Sequence, residues 1–202
     1  MSLEKEKIKI VVTGGPSGGK TTLIEVLQKD LKGKVTVVPE AASILYRGGF
    51  PRRATPEGRR HVQRAIYLTQ KELEELIAVE TKSETLVCDR GSLDSIAYWP
   101  GPESEFFRSL SSDLESELAR YQWVLHLDTA PLEFFDTSNP IRTESHQEAL
   151  DLNQKIKQAW RAHPRRIVIS HEVEFLLKIG KAKSVIEKII QGLSHSDILA
   201  SI

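Results

Sequence analysis

The chain reads as an α/β protein: a five-stranded parallel sheet with helices on both faces, three layers in all. Three observations predict this. Continuous apolar runs at 8–12, 85–88 and 123–127 have the character of strands buried on both sides. Stretches of helical period separate the strand-like runs, so the two element types alternate along the chain. The run at 8–12 also passes through a glycine-rich turn straight into a helical pattern.

Taken in order, the first strand covers 8–12. A helix follows it, with apolar residues at Leu23, Val26, Leu27 and Leu31. Gly33 stops that helix, and 35–38 is the second strand. A short apolar helix is expected at 41–46. Two glycines and a proline then force a loop at 47–51. Thr55 followed by Pro56 is a helix N-cap with proline at the first helical position. The helix they open runs to about Val79, with Val62, Ile66, Leu73 and Ile77 forming much of its inner stripe. The third strand is 85–88. Residues 103–120 are read as one helix, and 123–127 as the fourth strand. The polar stretch 128–145, with Pro131 and Pro140, is a lid-like connection. Ser145 and Glu148 form a capping-box pattern that opens a helix carrying Leu150, Ile156 and Trp160. The fifth strand is 166–170, a last helix runs from about Glu172 to Gln191, and 193–202 is expected to be a loosely held tail. One domain, 1–192, accounts for the rest, and a chain of 202 residues suits that size.

The turn at Gly14, Gly15, Pro16, Ser17, Gly18, Gly19, Lys20 and Thr21, with Thr22 behind it, fits G-x-x-x-x-G-K-[ST] without mismatch. Glycines let the backbone curl into a nest of N–H groups that point at phosphate oxygens. The helix that follows adds its unpaired N–H groups and the positive end of its dipole. Lys20 is placed to reach the β- and γ-phosphates, and the Thr21 hydroxyl to ligate Mg²⁺. The expected ligand is therefore ATP with Mg²⁺, in a P-loop NTPase fold.

Composition narrows the partners. Lys plus Arg and Asp plus Glu both number 28, so the formal charge is zero. That balance argues against nucleic acid or a membrane surface as the main partner. Cys88 is the only cysteine, which leaves no intrachain disulfide and no cysteine-rich metal site. The first seven residues hold no apolar signal core, and no run approaches the ~18 apolar residues of a membrane span. A cytoplasmic location is expected.

Parallel α/β sheets bind ligands at the carboxyl ends of their strands. Glu40, after the second strand, is a carboxylate able to take a proton from an attacking hydroxyl. It is equally suited to holding Mg²⁺ through water, or to sitting as an acid at a helix N-terminus. Asp89, at the end of the third strand, stands where P-loop proteins keep an acid for Mg²⁺, and Arg90 beside it suits a phosphate. A strand-end salt bridge is the alternative. Asp94 is the most plausible substrate-side residue in the segment after Arg90. Arg142, in the lid-like connection, is an arginine-finger candidate, with an ordinary surface loop as the other reading. Six arginines fall between 47 and 64. Arg59, Arg60 and Arg64 share a helix with many acids, so Arg52 and Arg53 are the better candidates for an anionic acceptor such as a phosphate. His126 and Asp128 have no metal-ligand spacing and read as structural, Cys88 as core, and Trp99, Trp123 and Trp160 as packing.

Together, GGPSGGKTT, VVPEAA, RGGFPRR, CDRGSLDSIAYWP, NPIRTES and AHPRRIVIS resemble bacterial P-loop proteins labelled AAA-family ATPases, grouped with the nicotinamide-riboside kinase domain and more distantly with deoxynucleoside and thymidylate kinases. The resemblance runs from about Lys7 to Ile190. It implies a base at Glu40, an arginine holding the reacting groups at Arg90 and a lid arginine at Arg142. It also implies a small-molecule phosphoryl acceptor. A motor ATPase is not expected, because 202 residues leave no room for a helical second domain. No N-K-x-D motif marks a GTPase. The rival reading is a nucleotide-dependent regulatory module with slow hydrolysis and a protein partner.

Overall fold

The computed structural model describes residues 7–134, 145–171 and 174–202. Five parallel strands, β1 (Ile8–Thr13), β2 (Val35–Val38), β3 (Thr85–Asp89), β4 (Trp123–Leu127) and β5 (Arg166–Ile169), form one sheet in the order β2-β3-β1-β4-β5. Nine helices occur among the described residues: α1 (Lys20–Asp30), α2 (Ala41–Arg47), α3 (Pro56–Glu80), α4 (Asp94–Tyr98), α5 (Glu103–Leu110), α6 (Leu114–Ala119), α7 (His146–Ala159), α8 (Phe175–Ile190) and α9 (His195–Leu199). The expected α/β class, with its five-stranded parallel sheet between helical layers, is the fold the chain adopts. No described helix is long and apolar enough to cross a membrane.

Alternation along the strands divides the core in two. Ile10 and Val12 join Leu23 and Leu27 of α1 with Ile179, Val185 and Ile186 of α8 on one face. Val11 points the other way, into Tyr67 of α3, Phe106 of α5, and Ile156 and Trp160 at the end of α7. Local chemistry sets the helix starts. Thr55 Oγ1 accepts the Gly58 N–H at 3.2 Å, with Pro56 at the first helical position. Ser145 and Glu148 complete a reciprocal capping box on α7.

The structure differs from the sequence reading in four places. The single helix expected over 103–120 is two, broken at Ser111, whose φ is 51°. Ser and Asp favour caps over helix interiors, and Asp113 caps α6 by accepting the Ser116 N–H at 2.8 Å. The buried side of α3 holds Val62, Gln63, Tyr67, Gln70 and Glu74, whereas Ile66, Leu73 and Ile77 are only partly buried. The last long helix begins at Phe175 rather than near 172. The expected tail contains α9, capped by Ser194, and its Ile198 is fully buried against the α1–α8 core.

Candidate functional site

The sheet order puts β1 at the centre, and the nucleotide-type loop leaves its carboxyl end. Gly14 has φ 129°, and a Cβ there would stand 2.0 Å from the Leu127 carbonyl oxygen, so only glycine fits. Gly19, at φ 94°, is the N-cap of α1 and offers no side-chain cap. The first-turn N–H groups of α1 are left for an anion. Lys20 folds back over the loop, donating to the carbonyls of Gly14 at 2.8 Å and Gly15 at 2.7 Å. Burial and the neighbouring Arg90 charge lower its pKa to about 7, against the pull of Asp89, Glu40 and Asp94.

The loop is braced from behind by α7. The Gly15 N–H donates to Asn153 Oδ1 at 3.0 Å, and His126 Nε2 lies 2.8 Å from the same oxygen. Asn153 Nδ2 donates to Asp128 Oδ1 at 2.8 Å, and Lys157 stands 2.6 Å from that oxygen. Burial pushes the Asp128 carboxyl up, but the hydrogen bonds from His126, Asn153 and Lys157 prevail and hold it well below the usual carboxylate range. His126 and Asp128 are thus the structural pair expected from sequence.

Facing the loop is the end of β3. Arg90 has φ 70°, a left-handed conformation uncommon outside glycine, and such strain persists only where the surroundings over-determine it. Here they do. The Arg90 N–H donates to Val12 O at 3.0 Å, and its carbonyl accepts from Gln70 Nε2 at 3.4 Å. Arg90 Nε donates to Glu40 Oε1 at 2.5 Å, and Nη1 to Asp94 Oδ2 at 3.0 Å. Asp94 also accepts from Thr13 Oγ1 and, at 2.7 Å, from Trp160 Nε1. Glu40 accepts from Ser43 Oγ. Burial alone raises the Glu40 carboxyl, but the Arg90 charge and the Ser43 hydrogen bond outweigh it and hold it below its ordinary value. Asp89 goes the other way: burial and the Glu40 charge raise it to about 6. No hydrogen bond from a described residue reaches its carboxylate.

A cleft of about 740 Å³ lies between these two groups. Of the residues singled out in the sequence, Pro16, Lys20, Thr21, Glu40, Arg52, Asp89, Arg90 and Asp94 line it together. Thr22 does not line it, and Arg53 is exposed outside it, its side chain lying against Gly58 at the start of α3. Arg142 and Glu144 lie outside the described residues. Arg59 donates to the backbone Tyr98 O at 3.0 Å and Arg60 to Glu105 of α5 at 2.7 Å. Asp94 lines the cleft, but Thr13, Arg90 and Trp160 occupy its carboxylate, which makes it an anchor for Arg90 rather than a free substrate ligand. Sequence reasoning missed Thr13, Gln70, Asn153 and the role of Trp160. The one available signal was a polar or N–H-bearing residue at a position buried by the helical period, for Gln70, Asn153 and Trp160, or at the end of a buried strand, for Thr13.

Thr21 and Asp89 suit Mg²⁺, since the cleft carries both and no described residue hydrogen-bonds the Asp89 carboxylate. Among the described residues no group of three or more His, Cys, Asp or Glu is able to hold a metal by itself. Mg²⁺ takes most of its ligands from phosphates and water, so the pair is enough.

A central parallel strand that runs through a glycine nest into a Lys-Thr helix start defines a P-loop nucleotide-binding domain. A family model described as AAA domain matches residues 9–174, and the chain belongs to that family. A search of curated proteins gave no match. Membership brings nucleotide binding, usually with Mg²⁺, and nucleotide hydrolysis or phosphoryl transfer as a general class.

Proposed function

We propose that this domain is a small-molecule kinase of the nicotinamide-riboside-kinase-like group, moving the γ-phosphoryl of ATP to a hydroxyl on a nucleoside- or nucleotide-like acceptor. One observation carries the reading: the Glu40–Arg90 ion pair shares a cleft with Lys20, and about 740 Å³ takes an acceptor beside the triphosphate. A motor or simple hydrolase has no need of the space on the Glu40 side of that cleft.

In this reading the loop 14–21 holds the phosphates and Lys20 leaves the loop carbonyls for the β- and γ-phosphates. Thr21 and Asp89 would help to hold Mg²⁺, which would neutralise charge on the phosphates. The acceptor oxygen forms the new P–O bond as the bond to the β–γ bridging oxygen breaks and ADP leaves. The hydroxyl proton passes to Glu40. Held ionised by Arg90 and Ser43, Glu40 is a weak base, which suits a loose transition state where orientation outweighs proton abstraction. Arg90 faces the transferring group, and the closing arginine falls on Arg142 by sequence position alone.

The same ion pair favours a second reading. Glu40 already bonds Arg90 and Ser43, as it would in a regulatory module that hydrolyses ATP slowly and signals to a protein partner. ATP consumption against a panel of nucleosides and nucleotides separates the two. Stimulation by one small acceptor supports the kinase; a flat, low rate supports the module. Lys20→Ala is expected to abolish turnover, and Glu40→Gln to abolish transfer with ATP affinity nearly intact. Unchanged transfer in Glu40→Gln would sink the base assignment.

A further inference from the structure

We propose that the acceptor side of the cleft binds a molecule bearing an anionic group, a carboxylate or a phosphate, at the end opposite its reacting hydroxyl, with Arg47 and Arg52 as its ligands. The orientation of the acceptor rests on the kinase reading above; the anion site itself does not.

The argument begins with α2. Glu40 caps this helix, Ser43 lies in its first turn and Arg47 ends it, and all three line the cleft. Spacings of three and seven residues put them on one helix face. Seven residues of helix span about 10 Å, so Arg47 stands roughly that far from the carboxylate that meets the hydroxyl. The chain then reverses: Gly49 has φ 89°, and the N–H groups of Gly48, Gly49 and Phe50 return to carbonyls of the last turn of α2. That reversal brings Arg52 back over Tyr46, its guanidinium 4.0 Å from the ring centroid. A cation–π contact of this kind holds the guanidinium in place without using its N–H donors.

Position marks these two arginines as different from their neighbours: both line the cleft, whereas Arg53, Arg59, Arg60 and Arg64 do not. Arg90 is held by Glu40 and Asp94, Arg60 by Glu57 and Glu105. No described carboxylate lies within ion-pair distance of Arg47 or Arg52, although both line the cleft. Two cations at one end of α2 and the Glu40 carboxylate at the other, in a cleft also lined by Tyr46, Ile66 and Tyr98, describe a ligand with a flat or apolar middle and an anionic tip.

Titration calorimetry tests this on the whole chain with Mg²⁺ and a non-hydrolysable ATP analogue, using matched pairs: 3-(carboxymethyl)uridine against 3-(carbamoylmethyl)uridine, and thymidine 3′-monophosphate against thymidine. At least one anionic member is expected to bind tenfold or more tighter than its neutral counterpart. Which pair shows the preference tells carboxylate from phosphate. The double variant Arg47→Ala/Arg52→Ala is expected to erase the preference, and Arg47→Lys/Arg52→Lys to restore part of it. Both side chains are exposed, and an unchanged melting temperature confirms a folded variant. Equal binding of all members by the wild type, or a preference that survives in the alanine variant, overturns the proposal. Selective anion binding with no transfer to any acceptor keeps the anion site and fails the kinase reading. Transfer without anion preference does the reverse.

Discussion

At the scale of single residues, the Asp94 carboxylate is the point on which the acceptor side turns. Thr13, Trp160 and Arg90 all donate to it, and it is almost fully buried. A buried carboxylate deprived of a donor costs about 1–3 kcal/mol, and Trp160→Phe removes one with little change in shape. We expect that loss in the unfolding free energy from urea denaturation. Because Asp94 also aims Arg90, the turnover number of the variant should fall about tenfold while ATP affinity stays close to wild type. A variant equally destabilised but kinetically normal would reduce Trp160 to packing. Sequence reasoning put Asp94 at the substrate and Trp160 in the core. The residue types were visible, but the bond joining them spans 66 positions and follows only from the order of the strands.

At the scale of elements, α3 presents a polar side inward, and that side ties the cleft together. Gln70 accepts the Ala41 N–H at 3.2 Å, beside Glu40, and donates to Arg90 O and Glu74 Oε1. One amide thus spans the two strand ends that carry the ion pair. Glu74 is in turn satisfied by Tyr121 at 2.8 Å and Arg120 at 2.8 Å. Gln70→Ala leaves a buried N–H and a part-buried carbonyl without their partner, so a loss of about 1–3 kcal/mol is expected. Its signature should be a higher KM for the acceptor with an unchanged KM for ATP, read by steady-state kinetics with each substrate varied in turn. A period search sees only apolar residues, so Val62, Ile66, Leu73 and Ile77 defined the α3 stripe while Gln63, Gln70 and Glu74 went unnoticed. The strand ends were legible because buried parallel strands are apolar runs and the residues that stop them stand out. The break after α5 was not, because Ser-Ser-Asp is as compatible with a helix surface as with a cap.

At the scale of the whole molecule, the cleft lies between the carboxyl ends of β1, β2 and β3, and α7 braces it from the β4 side. Asp128 is the electrostatic centre of that brace. Its folded pKa lies below the value of an unfolded aspartate, so its stabilisation is present above about pH 4 and is lost as pH falls further. Asp128→Asn should therefore flatten the acid limb of stability, with urea midpoints at pH 3 and pH 7 closer together than in wild type. A variant with the same separation as wild type would remove Asp128 from the acid response. The bracing helix has a consequence for how damage spreads. Asn153 touches the phosphate loop and Trp160 touches Asp94, and both ride on one rigid rod. A slide of α7 by a single residue's rise, 1.5 Å, breaks both contacts in the same movement. Defects that shift the rod as a whole should surface as paired losses, in nucleotide grip and in acceptor alignment together, whereas trimming one side-chain contact, as in Trp160→Phe, should touch one function alone.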